Sequence, residues 1–146
     1  MSRLKVFLDT NVLASYFSGQ PGAQRLFDPE VTKKVQYIIS PLVLQELLLI
    51  SDELGKNGSS DEMKMLLSRY MTIKPLDINT IDASAKRIRQ LRNRVVHAND
   101  LLNIQVAATT SDYFLTQDEN LLSLKEIDSV ELISPEQFFN LLKKAA

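Results

Sequence analysis

The chain alternates between short apolar runs and longer segments of helical periodicity, and this alternation restricts its fold more than any other feature. The apolar runs are rich in β-branched and aromatic residues, whereas the longer segments repeat apolar residues every three or four positions. The predicted strands are residues 4–8, 35–40, 73–76, 113–116 and 130–133, and the predicted helices are residues 10–17, 42–54, 61–71, 79–96, 99–110 and 135–144. Strands that alternate with helices form parallel sheets with helices on both faces. We therefore expect an α/β fold.

Length and composition are typical of one globular domain, which we expect to span residues 1–146. A chain of this size can bury about two-thirds of its unfolded surface around a single core. No apolar stretch approaches the ~20 residues that cross a bilayer, and the apolar run at Leu4 is too short for a signal peptide. The chain has no cysteine, which excludes disulfides, thiol catalysis and Cys-ligated zinc. This composition fits a cytoplasmic protein.

The formal net charge is −1, which is not the strongly basic balance of many nucleic-acid binders. Positive charge is nevertheless concentrated in one acid-free window within the predicted helix 79–96. The basic residues of this window are Lys86, Arg87, Arg89, Arg92 and Arg94. Apolar residues on the opposite side of the same helix predict an amphipathic helix with a cationic outer face. That face either holds an RNA phosphate backbone or is only solvated, with Asp82 and Lys86 paired locally.

Asp9 stands where the first predicted strand gives way to the first predicted helix. Open α/β sheets bind ligands in the crevice beyond the carboxyl ends of their strands. A carboxylate at this position is therefore a candidate functional group. The alternative is a structural role, because Asp is a favoured residue at the start of a helix.

Three further acids stand in contexts that fit the same site. Glu46 has apolar helical neighbours, and a charge there is costly unless it is paired or bound to a metal; a solvated stripe shared with Glu53 is the alternative. Asp100 opens a helix, where the helix dipole alone favours an acid. Asp118 follows the predicted strand 113–116, where a role in capping a polar turn is the alternative.

Taken together, the four acids indicate a site for a hard divalent cation. A ligand set made only of oxygen suits Mg²⁺ or Mn²⁺ better than zinc or copper. Carboxylate clusters of this kind hold metals that activate water and stabilise an in-line phosphoryl displacement. Without a cation the carboxylates would repel one another, and some would remain protonated.

Four segments of the chain, taken in order, resemble the PIN-domain nucleases over nearly the whole length. The segments are VFLDTNVLAS, SPLVLQELL, HANDLLNIQVAA and DYFLTQDENLL. They reproduce the acidic quartet of that family at Asp9, Glu46, Asp100 and Asp118. Thr10, Asn11 and Thr116 also match the small polar residues that flank the acids of the family.

The resemblance implies a three-layer α/β/α sandwich with a central, mostly parallel sheet of about five strands. It also implies a Mg²⁺- or Mn²⁺-dependent endoribonuclease that cleaves single-stranded RNA and leaves a 5′-phosphate and a 3′-hydroxyl. The length is similar to that of the toxins of VapBC-type toxin–antitoxin pairs. Those toxins commonly form homodimers and are silenced by a small antitoxin, so both are expected partners here.

The resemblance also implies a role for each acid. Asp9 is the central ligand of the principal metal, Asp100 and Asp118 complete its carboxylate set, and Glu46 binds a second metal or orients the attacking water. The polar residues expected to hold these carboxylates or a phosphate oxygen are Thr10, Asn11, Thr116 and Asn120. Many members of the family carry an acid at the position of Asn120; if the amide cannot serve in that place, a second metal would bind weakly or not at all.

His97 is the only histidine and lies three residues before Asp100. We expect a structural role for it, because metal-activated water does not require a general base. Two other readings of the acidic site stay open. One is a PIN-like module that binds RNA or protein without cutting, and the other is a metal-dependent DNA nuclease or phosphatase. The presence of all four acids favours a catalyst over a binding module.

Overall fold

The protein is built around a six-stranded sheet, and the computed structural model describes residues 3–54, 60–90 and 97–144. The strands are β1 (Leu4–Leu8), β2 (Val35–Ile39), β3 (Met71–Ile73), β4 (Tyr113–Leu115), β5 (Glu126–Ile127) and β6 (Val130–Ile133). Their order across the sheet is β3-β2-β1-β4-β6-β5. Among the described strands only the β5–β6 pairing is antiparallel, so the expected mostly parallel sheet is confirmed, with six strands instead of about five.

The central strands are buried on both faces of the sheet. Successive side chains of a strand point to opposite faces, yet Val6, Phe7 and Leu8 of β1 are all fully buried. Such runs are typical of parallel sheets that carry helices on both sides. This burial agrees with the predicted three-layer α/β/α architecture.

The helices account for most of the rest of the described chain. They are α1 (Thr10–Phe17), α2 (Pro29–Thr32), α3 (Pro41–Ile50), α4 (Ser60–Tyr70), α5 (Ile78–Gln90), α6 (Ala98–Thr110), α7 (Glu119–Leu122) and α8 (Pro135–Lys144). Short 3-10 helices span Pro21–Phe27 and Ser51–Glu53. Helix α6 packs against β1, β4 and β6, α5 packs on α6, and α1 packs on α3. No helix in the described ranges is both long and apolar enough to cross a membrane.

Two predicted elements have wrong bounds, and a third is described only in part. The third strand was predicted at residues 73–76 but pairs with β2 at Met71–Ile73 and ends before Pro75, which has no N–H to donate. The helix predicted at residues 42–54 ends at Ile50 and tightens into the 3-10 turn Ser51–Glu53. The helix predicted at residues 79–96 begins at residue 78 and is described to Gln90. Its remaining part, residues 91–96, lies outside the described residues, as does most of the polar loop predicted at residues 55–60.

A pair of stacked rings joins the two central strands. Phe7 of β1 and Phe114 of β4 are partners in the sheet register, and their ring centroids lie 5.3 Å apart with planes inclined by 8°. Both rings are fully buried. They lie two residues before Asp9 and Thr116 respectively, so the same register brings those two residues side by side.

Candidate active site

The candidate site lies where the direction of the chain across the sheet reverses. After β1 the chain moves outward to β2 and β3, and it then returns to place β4 on the other side of β1. Ligands of open α/β sheets bind at such switch points, beyond the carboxyl ends of the two strands. Asp9 directly follows β1 and Thr116 directly follows β4. The backbone continues the pairing, since Asp9 N donates to Leu115 O at 2.9 Å.

Asp9 is a buried carboxylate held only by neutral donors. Only 6 % of the surface of Asp9 is exposed to solvent. Oδ1 accepts a hydrogen bond from Thr10 N at 2.8 Å, and Oδ2 accepts from Thr116 Oγ1 at 2.8 Å and Asn11 Nδ2 at 3.3 Å. No lysine, arginine or histidine in the described ranges forms an ion pair with it. The negative charge of Asp9 is therefore hydrogen-bonded but not neutralised.

Burial raises the pKa of Asp9 to about 6. The hydrogen bonds from Thr116 and Thr10 oppose this effect, whereas the charges of Asp100 and Glu46 raise the pKa further. The pKa rises because loss of hydration and nearby like charges both disfavour an ionised carboxylate. Asp9 is also the N-cap residue of α1, so the capping role that the sequence offered and the proposed role in the site belong to the same residue.

Thr116 and Asn11 connect Asp9 to the segment that carries Asp118. The Thr116 hydroxyl is fully buried, donates to Asp9, and accepts from Asn11 Nδ2 at 3.2 Å and Asp118 N at 3.1 Å. Asn11 Oδ1 in turn accepts from Gln117 N at 3.0 Å. The chain after β4 is thus fastened to the start of α1 by side-chain hydrogen bonds.

Asp118 and Asn120 both take part in the turn that starts α7. Asp118 is the residue before the helix, and its Oδ1 accepts from Asn120 N at 2.9 Å. The capping role that the sequence offered for Asp118 is therefore observed. The side chain of Asn120 is exposed, and no hydrogen bond from it to the other acids is present among the described residues.

Glu46 and Asp100 approach Asp9 from two helices, α3 and α6. Burial raises the pKa of Glu46 even though its residue is largely exposed; the nearby Thr10 hydroxyl lowers the pKa, and the charge of Asp100 raises it. Burial also raises the pKa of the half-buried Asp100, and the charge of Asp118 adds to this, while His97 lowers it. Each of the four acids therefore interacts electrostatically with at least one other.

A buried polar pair that sequence reasoning missed joins the two helices that carry these acids. Ser40 Oγ donates to Asn103 Oδ1 at 2.5 Å, and both residues are essentially unexposed. Ser40 also caps α3 by accepting from Val43 N at 3.3 Å, and Asn103 lies one turn after Asp100. The sequence signals were a serine before Pro41 and an asparagine inside an otherwise apolar helix face. Neither signal shows that the two side chains meet.

The residues at this edge fit a hard divalent cation by their chemistry. The donors are carboxylate and hydroxyl oxygens, which Mg²⁺ and Mn²⁺ prefer. The Thr10 hydroxyl faces Glu46 and is a buried side-chain atom without a hydrogen-bond partner in the described ranges. Within those ranges, no three acidic or histidine side chains are grouped closely enough to hold one ion as they stand. A cation would have to draw together carboxylates that otherwise repel one another.

Two of the three described basic residues on the face predicted at residues 86–94 form ion pairs. Lys86 forms an ion pair with Asp82 at 3.0 Å. Arg87 is paired with Asp128 and donates to Gln90 Oε1 at 3.0 Å. Arg89 is exposed, and no ion pair or hydrogen bond of its side chain is present in the described part of the chain. Arg92 and Arg94 lie outside the described residues.

The fold is similar to solved structures of toxin–antitoxin proteins. VapBC2 from Rickettsia felis, bound to a DNA fragment from its promoter, superposes with a TM-score of 0.68 at 18 % identity over 90 % of this chain and 98 % of that chain. A toxin–antitoxin complex from Klebsiella pneumoniae gives 0.67 at 18 % identity over 89 % and 97 %. VapC20 from Mycobacterium tuberculosis, a sarcin–ricin loop cleaving toxin, gives 0.65 at 15 % identity over 84 % and 97 %. At these identities the likeness establishes the fold alone.

Sequence comparison identifies the family. No curated protein sequence matches the chain significantly. The sequence profile of the PIN domain matches residues 6–127, which begins inside β1 and ends at β5 and so contains all four acids. This chain therefore belongs to the PIN domain family.

Proposed function

We propose that this protein is a metal-dependent endoribonuclease that cleaves single-stranded RNA by attack of a metal-activated water. The observation that carries this proposal is the position of Asp9, a buried carboxylate at the switch point of the sheet that forms no ion pair with a basic side chain of the described residues. An unpaired buried charge is costly, and the charges of Asp100 and Glu46 raise that cost. A fold that keeps this arrangement gains from it only when a positive ligand is bound.

In this proposal the four acids hold the metal, and neighbouring polar groups orient Asp9. Asp9, Asp100, Asp118 and Glu46 would hold Mg²⁺ or Mn²⁺, which supplies an activated water and neutralises charge developing on the phosphate. Thr116 and Asn11 fix Oδ2 of Asp9, and Thr10 N fixes Oδ1, so the carboxylate keeps one orientation. Asn120 and the Thr10 hydroxyl remain available for a water or a phosphate oxygen. His97 lowers the pKa of Asp100 through its charge and through a backbone hydrogen bond.

We further propose that the protein is the toxin of a toxin–antitoxin pair. In support, VapC20 is described as a toxin that cleaves the sarcin–ricin loop, and other structural relatives are toxin–antitoxin complexes. The partners would then be a small antitoxin protein and a second copy of the chain. A cytoplasmic location would follow, since the RNA substrate is there.

Asp9→Asn provides the test of the activity. Purified parent protein is incubated with single-stranded RNA, single-stranded DNA and a phosphomonoester, each with Mn²⁺ and with EDTA. We expect the parent to cleave RNA only with metal, and Asp9→Asn to lose more than the 10–100-fold typical of losing a residue that merely supports a metal ligand. Glu131→Gln, which removes an exposed carboxylate from β6, is the matched control and should retain full activity.

The same panel separates the alternatives. Cleavage of DNA but not RNA would identify a DNA nuclease, and turnover of the phosphomonoester alone would identify a phosphatase. RNA binding without cleavage in any metal would identify a binding module. Cleavage of RNA by Asp9→Asn at the parental rate would refute the metal-nuclease proposal.

A further inference from the structure

A cationic pocket lies at the edge of the sheet opposite the four acids. It has a volume of about 250 Å³, and the residues that matter here are Arg25, Glu30, Lys34, Phe139 and Lys143. Lys34 immediately precedes β2, so it lies at the amino edge of the parallel sheet. Helix α8 leaves the carboxyl end of β6 and runs back, which places Lys143 in its last turn at the same amino edge.

The cations of this pocket are mostly uncompensated. No acid in the described part of the chain lies within ion-pair distance of Lys34 or Lys143. Arg25 approaches Asp28 at 3.9 Å, but both side chains are about half exposed, and such a pair contributes little. The Arg25 guanidinium also lies 5.1 Å from the centroid of the Phe139 ring. The Phe139 ring thereby holds the Arg25 guanidinium, a planar group with five N–H donors, at the wall of the pocket.

A second, smaller pocket extends this charge along the edge. It has a volume of about 120 Å³ and includes Arg3 and Arg69, with Thr32 and Val35 in its wall. The two pockets lie on either side of residues 31–35, which lead from α2 into β2. Arg69 is placed over the Tyr70 ring at 5.4 Å, as Arg25 is over Phe139. Five cations thus line two adjacent pockets, and Glu30 is the only acid in their described walls.

We propose that these pockets, here called the amino-edge site, bind the phosphodiester backbone of RNA at a distance from the acids. The proposal rests on the proposed function for the identity of the ligand. Lysine and arginine clusters neutralise phosphates, and planar guanidinium groups bind phosphate oxygens in pairs. The acids repel the same backbone at the carboxyl edge. Attraction and cleavage are therefore assigned to opposite edges of the sheet.

Length decides which RNA can use both sites. Lys34 precedes the register partner of Leu4, and Asp9 follows Leu8, so about six strand steps of about 3.3 Å each, or about 20 Å, separate the two edges. A stacked strand advances about 3.4 Å per nucleotide, so about five nucleotides cannot span that distance and about 20 can. The amino-edge site should therefore strengthen the binding of long RNA and have no effect on short RNA.

Binding without metal tests the site separately from cleavage. Fluorescence anisotropy in EDTA measures the affinity of a labelled single-stranded RNA of about 20 nucleotides for the parent and for Lys34→Gln/Lys143→Gln. We expect the double variant to bind about fivefold or more weakly and to lower the slope of log Kd against log salt by about 1.4, the value for two lost phosphate contacts to a single strand. Glu30→Gln, which removes the acid of the pocket, should bind more tightly than the parent.

Lys86→Gln/Arg89→Gln on α5 is the charge-matched control. It removes the same two charges, but Lys86 is already paired with Asp82, so its effect should be smaller. Equal losses of affinity in both double variants would show that only net charge matters and would overturn the site. Displacement of the RNA by excess 5′-AMP would also overturn it, because the pocket would then hold a free nucleotide.

Kinetics with Mn²⁺ completes the test. Lys34→Gln/Lys143→Gln should raise KM for an RNA of about 20 nucleotides, with kcat unchanged, and leave cleavage of an RNA of about five nucleotides unaltered. If the parent cleaves RNA and neither KM nor affinity responds to the variant, the amino-edge site is refuted. If the parent binds RNA through this site but never cleaves it, the nuclease proposal fails and the site stands.

Discussion

The two edges of the sheet carry opposite charges and stabilise them in opposite ways. At the carboxyl edge, Asp9 is buried, held by neutral donors and exposed to the charges of Asp100 and Glu46. At the amino edge, Lys34 and Lys143 are exposed and reach solvent on flexible stems. A buried charge loses its hydration, whereas an exposed charge keeps it. The carboxyl edge therefore stores unfavourable free energy that a ligand can release, and the amino edge does not.

Stability and function are therefore opposed at the carboxyl edge, whereas at the amino edge they are independent. Changes that relieve repulsion between the acids should stabilise the fold and abolish the activity proposed here. Changes at the amino edge should alter stability and binding independently. Three measurements test this contrast.

The largest effect is expected for the pH dependence of stability at Asp9. Its pKa is raised by folding from 3.8 to about 6, so the folded state binds the extra proton between these values. The contribution is favourable at low pH and is lost as the pH rises through about 4 to 6, with a total of up to about 3 kcal/mol. Asp9→Asn should abolish this loss and make the metal-free protein more stable than the parent at pH 7.

Urea unfolding in EDTA at several pH values between 4 and 7 measures this effect. The difference in unfolding free energy between Asp9→Asn and the parent should grow with pH and then level off. Glu131→Gln should stay within about 0.5 kcal/mol of the parent, as an exposed substitution normally does. A difference between Asp9→Asn and the parent that does not vary with pH would contradict the assigned burial cost.

The next effect concerns the hydroxyl that orients Asp9. Thr116→Val keeps the side-chain volume but removes the donor to Asp9 and the acceptor for Asp118 N and Asn11. We expect a 10–100-fold loss of Mn²⁺ affinity, measured by calorimetry, which is the range for losing a group that supports a ligand. Thr116→Ser retains the hydroxyl and should restore most of the affinity. Equal affinity for Thr116→Val and the parent would mean that Asp9 needs no orienting donor.

The smallest effect is expected at the amino edge, in the turn between β5 and β6. Asp128 and Ser129 have positive φ angles of 49° and 75°, as two-residue hairpins often require, and glycine adopts such angles without strain. Ser129→Gly should stabilise the protein by about 0.5–1 kcal/mol without affecting cleavage. Thermal unfolding and an RNA cleavage assay measure both quantities. Asp128→Gly is the control and should not stabilise, because Asp128 binds Arg87 and Gln105.

Much of the fold followed from the sequence, because its parallel strands are apolar runs between helices of clear periodicity. Strand β5 has two residues, too few for any period to be detected, and the 3-10 helix Pro21–Phe27 has no regular apolar repeat. Strand β3 was misplaced because its position is fixed by pairing with β2, not by its own residues.

The candidate site was predictable to the level of residue types and positions. Asp9, Glu46, Asp100 and Asp118 could be selected because each stands at a strand end or on a helix that returns to the sheet. The pair of Ser40 with Asn103 could not, because a contact between residues 63 positions apart depends on how α3 and α6 pack. The neutralisation of Arg87 by Asp128 was hidden for the same reason, since these residues are 41 positions apart.

The stacked rings of Phe7 and Phe114 have a consequence for the study of variants of this protein. Side chains alternate along a strand, so Phe7 and Asp9 share one face of the sheet, as do Phe114 and Thr116. The ring stack therefore sets the spacing over which the Thr116 hydroxyl meets the Asp9 carboxylate. A smaller side chain at either position would leave a cavity beside the site and change that distance. A mutational scan scored by activity alone would group these two buried phenylalanines with the four acids, although a phenylalanine ring offers no oxygen to a metal.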